Sequence, residues 1–250
     1  MKKALQKHKD SYPEMGLETA VKLLYQSELE GSSVTDNSLE NLRRILYGQK
    51  QKEIDVVNYF LTYYPVFLEI DRTLSSHGER QLTVAVDGMC GSGKTTLGQC
   101  LKEIYSCNIF HMDDFFLRPE QRTEERLGEA GGNVDYERFK EEILDHLSDK
   151  EGLSYRVYDC RKQSLGDPVY APHARMNIIE GVYSGHPYFK EVYDLIFFLD
   201  IGEEEQLKRI KKRNGSVMLE QFKNQWIPME NRYFDEYRIR EKSIYIKVEP

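Results

Sequence analysis

The sequence predicts an α/β fold in three layers, a central parallel sheet between helices, preceded by a helical extension. Two observations carry this. From residue 82 onward short apolar runs alternate with helical patterns, as a parallel sheet requires. The first of those runs, Leu82-Thr-Val-Ala-Val86, leads into Gly88-x-x-x-x-Gly93-Lys94-Thr95 and then into the helical spacing Leu97, Leu101, Ile104. That order of strand, glycine-rich turn and helix is the setting of a P-loop, and with it of the P-loop NTPase fold.

The loop states its own chemistry. Gly88, Met89, Cys90, Gly91, Ser92 and Gly93 form a turn whose successive N–H groups aim inward. The helix behind adds its positive end, so a triphosphate is held largely by main chain. Lys94 is expected to reach the outer phosphates, Thr95 to offer a hydroxyl to magnesium, and Thr96 to continue the helix start. A glycine-rich strand-to-helix turn alone would leave Lys94-Thr95 unexplained.

Strands are expected at Leu82–Val86, Cys107–His111, Met176–Ile179, Leu195–Leu199 and Ile244–Val248. Helices are expected after Lys94, over Tyr136–Leu147 and over Glu203–Lys212. Residues 1–78 read as a helical extension and 79–250 as the nucleotide-binding domain. In the extension Leu17, Val21 and Leu24 share one face; Leu39, Leu42, Ile45 and Leu46 share another; Ile54, Val57 and Leu61 begin a third helix. Pro65 and then Ser75-Ser-His-Gly are expected to interrupt that third helix.

Composition excludes several classes. Of 250 residues 40% are hydrophobic, enough for a packed core, and the formal net charge of −7 argues against a broad nucleic-acid surface. No apolar stretch approaches the length that spans a membrane, and the charged N-terminus lacks a signal core. Cys90, Cys100, Cys107 and Cys160 form no C-x-x-C pair, which suits reduced thiols in a cytoplasmic protein. The expected partner is a small molecule, with homo-oligomerisation left open.

In such sheets ligands bind beyond the carboxyl ends of the strands. Asp113-Asp114 follows the second strand and Glu180-Gly181 the third, so their carboxylates should converge where the P-loop opens. Phosphoryl transfer needs a held magnesium ion and an oriented acceptor hydroxyl, the work of an aspartate such as Asp113. Lys208-Arg209-Ile-Lys-Lys-Arg213 puts Arg209 and Arg213 on one helix face, which by itself reads as a solvated basic face.

The order GxxxxGKT, DDFF, NVDYERF, YD, EG and a basic helix, over roughly residues 80 to 249, resembles the uridine kinase-like branch of the P-loop nucleoside kinases, in the phosphoribulokinase/uridine kinase superfamily. The resemblance implies an ATP- and Mg²⁺-dependent kinase acting on a hydroxyl of a nucleoside or related metabolite. It implies Asp113 as catalytic base beside the metal, Phe116 and Tyr158 lining the nucleoside pocket, and Asp135 on ribose hydroxyls. It further implies Glu180 as a magnesium-site acid, Arg209 and Arg213 as lid arginines, and Gln225 as a base contact. Asp135 also reads as a cap for the helix that follows, and Tyr158 and Trp226 as packing. Where the similar pyrimidine kinases carry a histidine, this chain has Arg161-Lys162-Gln163, charges that suit a phosphorylated or acidic acceptor as in nicotinamide riboside, pantothenate or ribulose phosphate kinases. The competing reading is a nucleotide-dependent switch that binds a protein through its N-terminal helices; the sequence shows no N-K-x-D guanine signature.

Overall fold

The computed structural model describes residues 53–248. The chain divides into two compact units, one ending at Glu79 and including Glu103–Tyr105, the other comprising Arg80–Lys102 and the residues from Ser106 on. The helices expected around Leu17 and Leu39 lie outside the described residues.

Of the first unit, helix α1 (Glu53–His77) is described. Contrary to expectation it runs through Pro65 and past Ser75-Ser76 without a break. A proline removes one main-chain donor, and a single lost bond does not end a helix of this length. The hydroxyls of Thr73 and Ser75 bond the carbonyls of Glu69 and Asp71 four residues back, at 2.7 and 2.8 Å, so both stay helical. Tyr63, Tyr64, Val66, Phe67 and Ile70 are buried. The helix ends at Gly78, whose φ of +59° continues no helix.

The second unit is built on strands β1 (Leu82–Gly88), β2 (Asn108–His111), β5 (Met176–Glu180), β6 (Leu195–Ile201) and β7 (Ile244–Val248) in the order β2-β5-β1-β6-β7, every neighbouring pair parallel. β1 is central, and all seven of its residues are buried, as are all five of β5. That explains their continuous apolar runs: a parallel strand covered on both faces has no polar side to alternate with. Strands β3 (Leu153–Asp159) and β4 (Ser164–Ala171) form a separate antiparallel hairpin.

The helices are α2 (Lys94–Tyr105), α3 (Glu124–Gly128), α4 (Tyr136–Glu142), α5 (Glu203–Gln221), α6 (Ile227–Glu236) and α7 (Ile239–Lys242). The helix expected over Tyr136–Leu147 stops at Glu142 and passes into a 3₁₀ turn at Leu144–His146. α5 is broken at Gly215 (φ 80°, ψ 173°), where the sequence reads Asn214-Gly-Ser. A π turn, Phe222–Trp226, joins α5 to α6. Behind β6, Phe198 meets Phe234 edge to face at 4.8 Å, with the Arg240 guanidinium 5.2 Å from each ring. Each such ring buried from water contributes roughly 1.5–3 kcal/mol. Among the described residues, no helix is long and apolar enough to cross a membrane.

Candidate active site

β1 enters the loop through a residue that admits no side chain. A Cβ on Gly88 would lie 2.2 Å from the Leu199 carbonyl oxygen of β6, and its φ of +135° belongs to glycine. Asp87 before it is fully buried and takes three hydrogen bonds: from the N–H of Gly88 (2.6 Å), the N–H of Gly185 (2.8 Å) and the Tyr233 hydroxyl (2.8 Å). Burial raises its carboxyl above the ordinary range, and those bonds work against the rise. Asp87 thereby ties the loop's entrance to the segment after β5 and to α6.

The loop opens onto a cleft of about 710 Å³. Its floor is Cys90, Gly91, Gly93, Lys94, Thr95 and Thr96. Gly88, Met89 and Ser92 form the turn beneath, and the Lys94 ammonium donates to the carbonyls of Gly88 (2.7 Å) and Met89 (3.0 Å). Asp113, from the 3₁₀ turn Met112–Phe115 after β2, and Glu180, the last residue of β5, line the wall. Thr95 Oγ1 donates to Glu180 Oε1 at 3.0 Å, so acid and hydroxyl sit side by side although 85 residues separate them. Asp113 is open to the cleft yet enclosed by it, and this desolvation lifts its carboxyl pKa; nearby Lys94 and Arg213 oppose the rise and Glu180 adds to it. Asp113 and Glu180 thus come together at the loop, whereas Asp114 does not line the cleft.

His111, which the sequence reading passed over, ends β2 and places Nδ1 2.6 Å from the same Glu180 oxygen. That hydrogen bond raises the imidazole pKa. A histidine at the end of a predicted strand, two residues before Asp113, was the available signal. Glu230 on α6 was also missed: its carboxylate, 6% exposed, accepts the Cys90 N–H at 3.0 Å and lines the cleft. Nothing local in Pro-Met-Glu-Asn announces that contact.

Arg209 and Arg213 line the cleft as well. Arg209 donates to Glu205 at 3.0 Å and lies 3.5 Å from the Gly91 carbonyl; Arg213 donates to Asn214. Gln206 donates from the same helix to the Cys90 carbonyl at 3.0 Å. Cys90 packs with Ile210 and Phe222, and Trp226 lies against that group as well as lining the cleft.

Phe116 lines the cleft, whereas Asp135, Tyr158 and Gln225 do not. Asp135, 2% exposed, is the N-cap of α4: Oδ1 accepts the Arg138 N–H at 3.2 Å and Oδ2 accepts Gln121 Nε2 at 2.8 Å. The capping alternative thus describes its geometry, with both oxygens committed within the fold. Tyr158 is buried and takes a 3.2 Å bond from Arg122. Gln225 is exposed on the π turn, where the extra residue per turn brings Trp226 to the cleft instead. Arg161 and Lys162, on the β3–β4 turn, are exposed and give their main-chain N–H groups to Asp159; from that turn it is Cys160 that reaches the cleft.

Comparison with known proteins agrees with this architecture. The structure described as a possible uridine kinase from Bacillus stearothermophilus superposes with a TM-score of 0.52 at 20% identity, covering 68% of this chain and 89% of that one. The fold is a uridine kinase-like P-loop fold. A second structure, provisionally described as a fructose transport system kinase from Silicibacter sp. TM1040, gives 0.51 at 19% identity over 72% of this chain and 95% of that one. In sequence, the chain is 27% identical to uridine-cytidine kinase C of Dictyostelium discoideum over 116 residues, 46% of this chain. The match spans about a quarter (26%) of that relative's length. No family model matches the chain.

Proposed function

We propose that the protein is an ATP-dependent kinase that transfers the terminal phosphate to a hydroxyl of a nucleoside or related small metabolite. The observation that carries the reading is the Thr95–Glu180 contact of 3.0 Å beside Asp113, at the mouth of a loop whose lysine is already inside the same cleft. In this reading the N–H groups of the loop and Lys94 hold the triphosphate. Asp113 accepts the proton of the acceptor hydroxyl as its oxygen bonds to phosphorus and the bond to the ADP oxygen breaks. Desolvation by the cleft walls raises the Asp113 carboxyl pKa although the residue is open to the cleft, and a raised pKa makes a stronger base, which suits Asp113 to this step. Arg209 and Arg213 spread the negative charge of the transferring group.

Among the described residues, no three His, Cys, Asp or Glu side chains form a metal-holding group by themselves. The all-oxygen set of Thr95, Asp113 and Glu180 fits magnesium, which takes one or two carboxylates and completes its shell with phosphates and water. When bound there, it would neutralise charge between the outer phosphates. His111 keeps Glu180 oriented toward Thr95 for that purpose.

ADP release from ATP, measured with a panel of nucleosides, tests the reading. Acceptor-stimulated turnover supports it. Slow release indifferent to every acceptor contradicts it and favours a nucleotide-dependent switch acting through the N-terminal helices.

A further inference from the structure

One acid of the cleft has no part in the reading above. Glu230 on α6 is buried yet lines the cleft, and its Oε2 accepts the Cys90 N–H of the P-loop at 3.0 Å. The inward N–H groups of such a loop suit phosphate oxygens, and here a carboxylate of the protein itself holds one of them. The bond alone does not call for a charge. A glutamine at this position would accept the same N–H through a neutral oxygen, so the acid adds an electrostatic effect to a structural one.

The other two acids of the cleft, Asp113 and Glu180, belong to the oxygen set that fits magnesium, and an ion there would neutralise them. Glu230 lies outside that set, and the cation whose field acts on it is Lys94. A triphosphate draws that ammonium to itself. The carboxylate is then left enclosed beside a like charge, where repulsion is far stronger than in water. Meanwhile α6 is tied to the loop twice, by Glu230 at Cys90 and, three residues on, by the Tyr233 hydroxyl at Asp87 (2.8 Å). Neither Tyr233 nor Asp87 lines the cleft, so the repulsion falls on the Glu230 tie. Just before it runs the π turn Phe222–Trp226, an irregularity of a kind frequent at functional sites.

We propose that Glu230 is an autoinhibitory anion of the P-loop: its carboxylate, held on the Cys90 N–H, opposes an incoming triphosphate, and the nucleotide binds by displacing it. Displacement frees the π turn and the first turn of α6, while the Tyr233–Asp87 bond keeps the rest of the helix in place. Gln206 on α5 holds the Cys90 carbonyl at 3.0 Å, so the loop keeps its shape when the carboxylate leaves. The proposal rests on the loop holding a polyphosphate, as in the kinase reading, and adds a brake on nucleotide affinity that is coupled to movement of α6.

Trp226, the chain's single tryptophan, lines the same cleft, so its fluorescence reports nucleotides without requiring turnover. ATP, ADP and AMP are titrated into the full chain and into Glu230→Gln and Glu230→Ala. Glu230→Gln, which keeps size and hydrogen bond, should bind ATP about tenfold more tightly than wild type and AMP within about twofold, as removal of one opposing charge predicts. Glu230→Ala should shift ATP in the same direction. A tie that is only structural gives the opposite pattern: ATP weakened by alanine and unchanged by glutamine, which would overturn the proposal. Amide hydrogen exchange reads the displacement itself. In wild type ATP should speed exchange in the π turn and the first turn of α6, and Glu230→Ala should show that faster exchange without nucleotide. A segment that ATP leaves unchanged or protects further would overturn it. Failure of all three proteins to bind nucleotide would overturn both this proposal and the kinase reading. The expected affinities and exchange, with ADP release indifferent to every acceptor, would contradict the kinase reading alone.

Discussion

Glu230 and Cys90, 140 residues apart, are joined by a 3.0 Å hydrogen bond from the loop's N–H to the carboxylate of α6. Together with Gln206, which holds the Cys90 carbonyl, it fastens the P-loop to the helices on both sides of the π turn. Burial raises the Glu230 carboxyl pKa, with Lys94 nearby opposing the rise. An amide can replace this acid without losing the bond, but a methyl cannot. Glu230→Ala should cost about 1–3 kcal/mol in urea denaturation at pH 7, because an enclosed N–H loses its acceptor. Glu230→Gln should stay within about 0.5 kcal/mol of wild type, as a substitution that keeps the bond. Equal losses in the two variants would show that the bond to Cys90 is not what matters.

Gly88 tests the loop's fit to the sheet. Its absent Cβ position lies 2.2 Å from the Leu199 carbonyl oxygen, which is backbone and cannot swing aside. Gly88→Ala should lose about 4 kcal/mol or more, or fail to fold, whereas ordinary substitutions cost ~1 kcal/mol. Thermal melts of purified protein decide it.

Much of this architecture is legible in the residues. The strands beginning at Leu82, Met176, Leu195 and Ile244 start where expected, and those at Leu82 and Met176 do so because a parallel strand buried on both faces writes itself as an unbroken run. β4 is not legible: Ser-Leu-Gly-Asp-Pro-Val-Tyr-Ala is largely exposed and contains glycine, aspartate and proline, so only its pairing with β3 makes it a strand. Lys94, Thr95, Asp113 and Glu180 were legible because a strand's carboxyl end fixes where the next residue points. Glu230 reaches the cleft through a contact made far along the chain, which no local spacing encodes.

His186 gives the protein an acid-sensitive core. It is 7% exposed, stacks on Tyr136 at 4.6 Å, and its pKa falls to about 4 chiefly because burial disfavours the charged ring, against an ordinary value of 6.5. The unfolded chain therefore binds a proton that the folded one refuses. Stability from this group is present above pH 6.5 and is lost as pH falls toward 4, by up to about 3 kcal/mol. Urea denaturation at pH 7, 5.5 and 4.5 should show His186→Phe losing less stability on acidification than wild type. Parallel curves would assign the acid sensitivity to other groups.

Lys94 now donates to the Gly88 and Met89 carbonyls, so a bound triphosphate must outcompete two neutral acceptors for the ammonium. A charge-assisted bond to phosphate does this readily. Lys94→Ala should weaken ATP by about 100-fold or more, as expected for loss of two charge-assisted contacts. Trp226 fluorescence provides the titration, and ATP binding close to wild type would exclude Lys94 from the phosphate site.

The most direct test of the whole account is Asp113→Asn, assayed in parallel for nucleoside-stimulated ADP release and for ATP binding through Trp226. The amide preserves the size of the side chain but cannot take a proton from the acceptor. We expect stimulated release to fall by about 10²–10⁴-fold, the range attributed to a positioned general base, with ATP affinity nearly unchanged. Undiminished release would contradict the claim that Asp113 and the P-loop form one phosphate-transferring site.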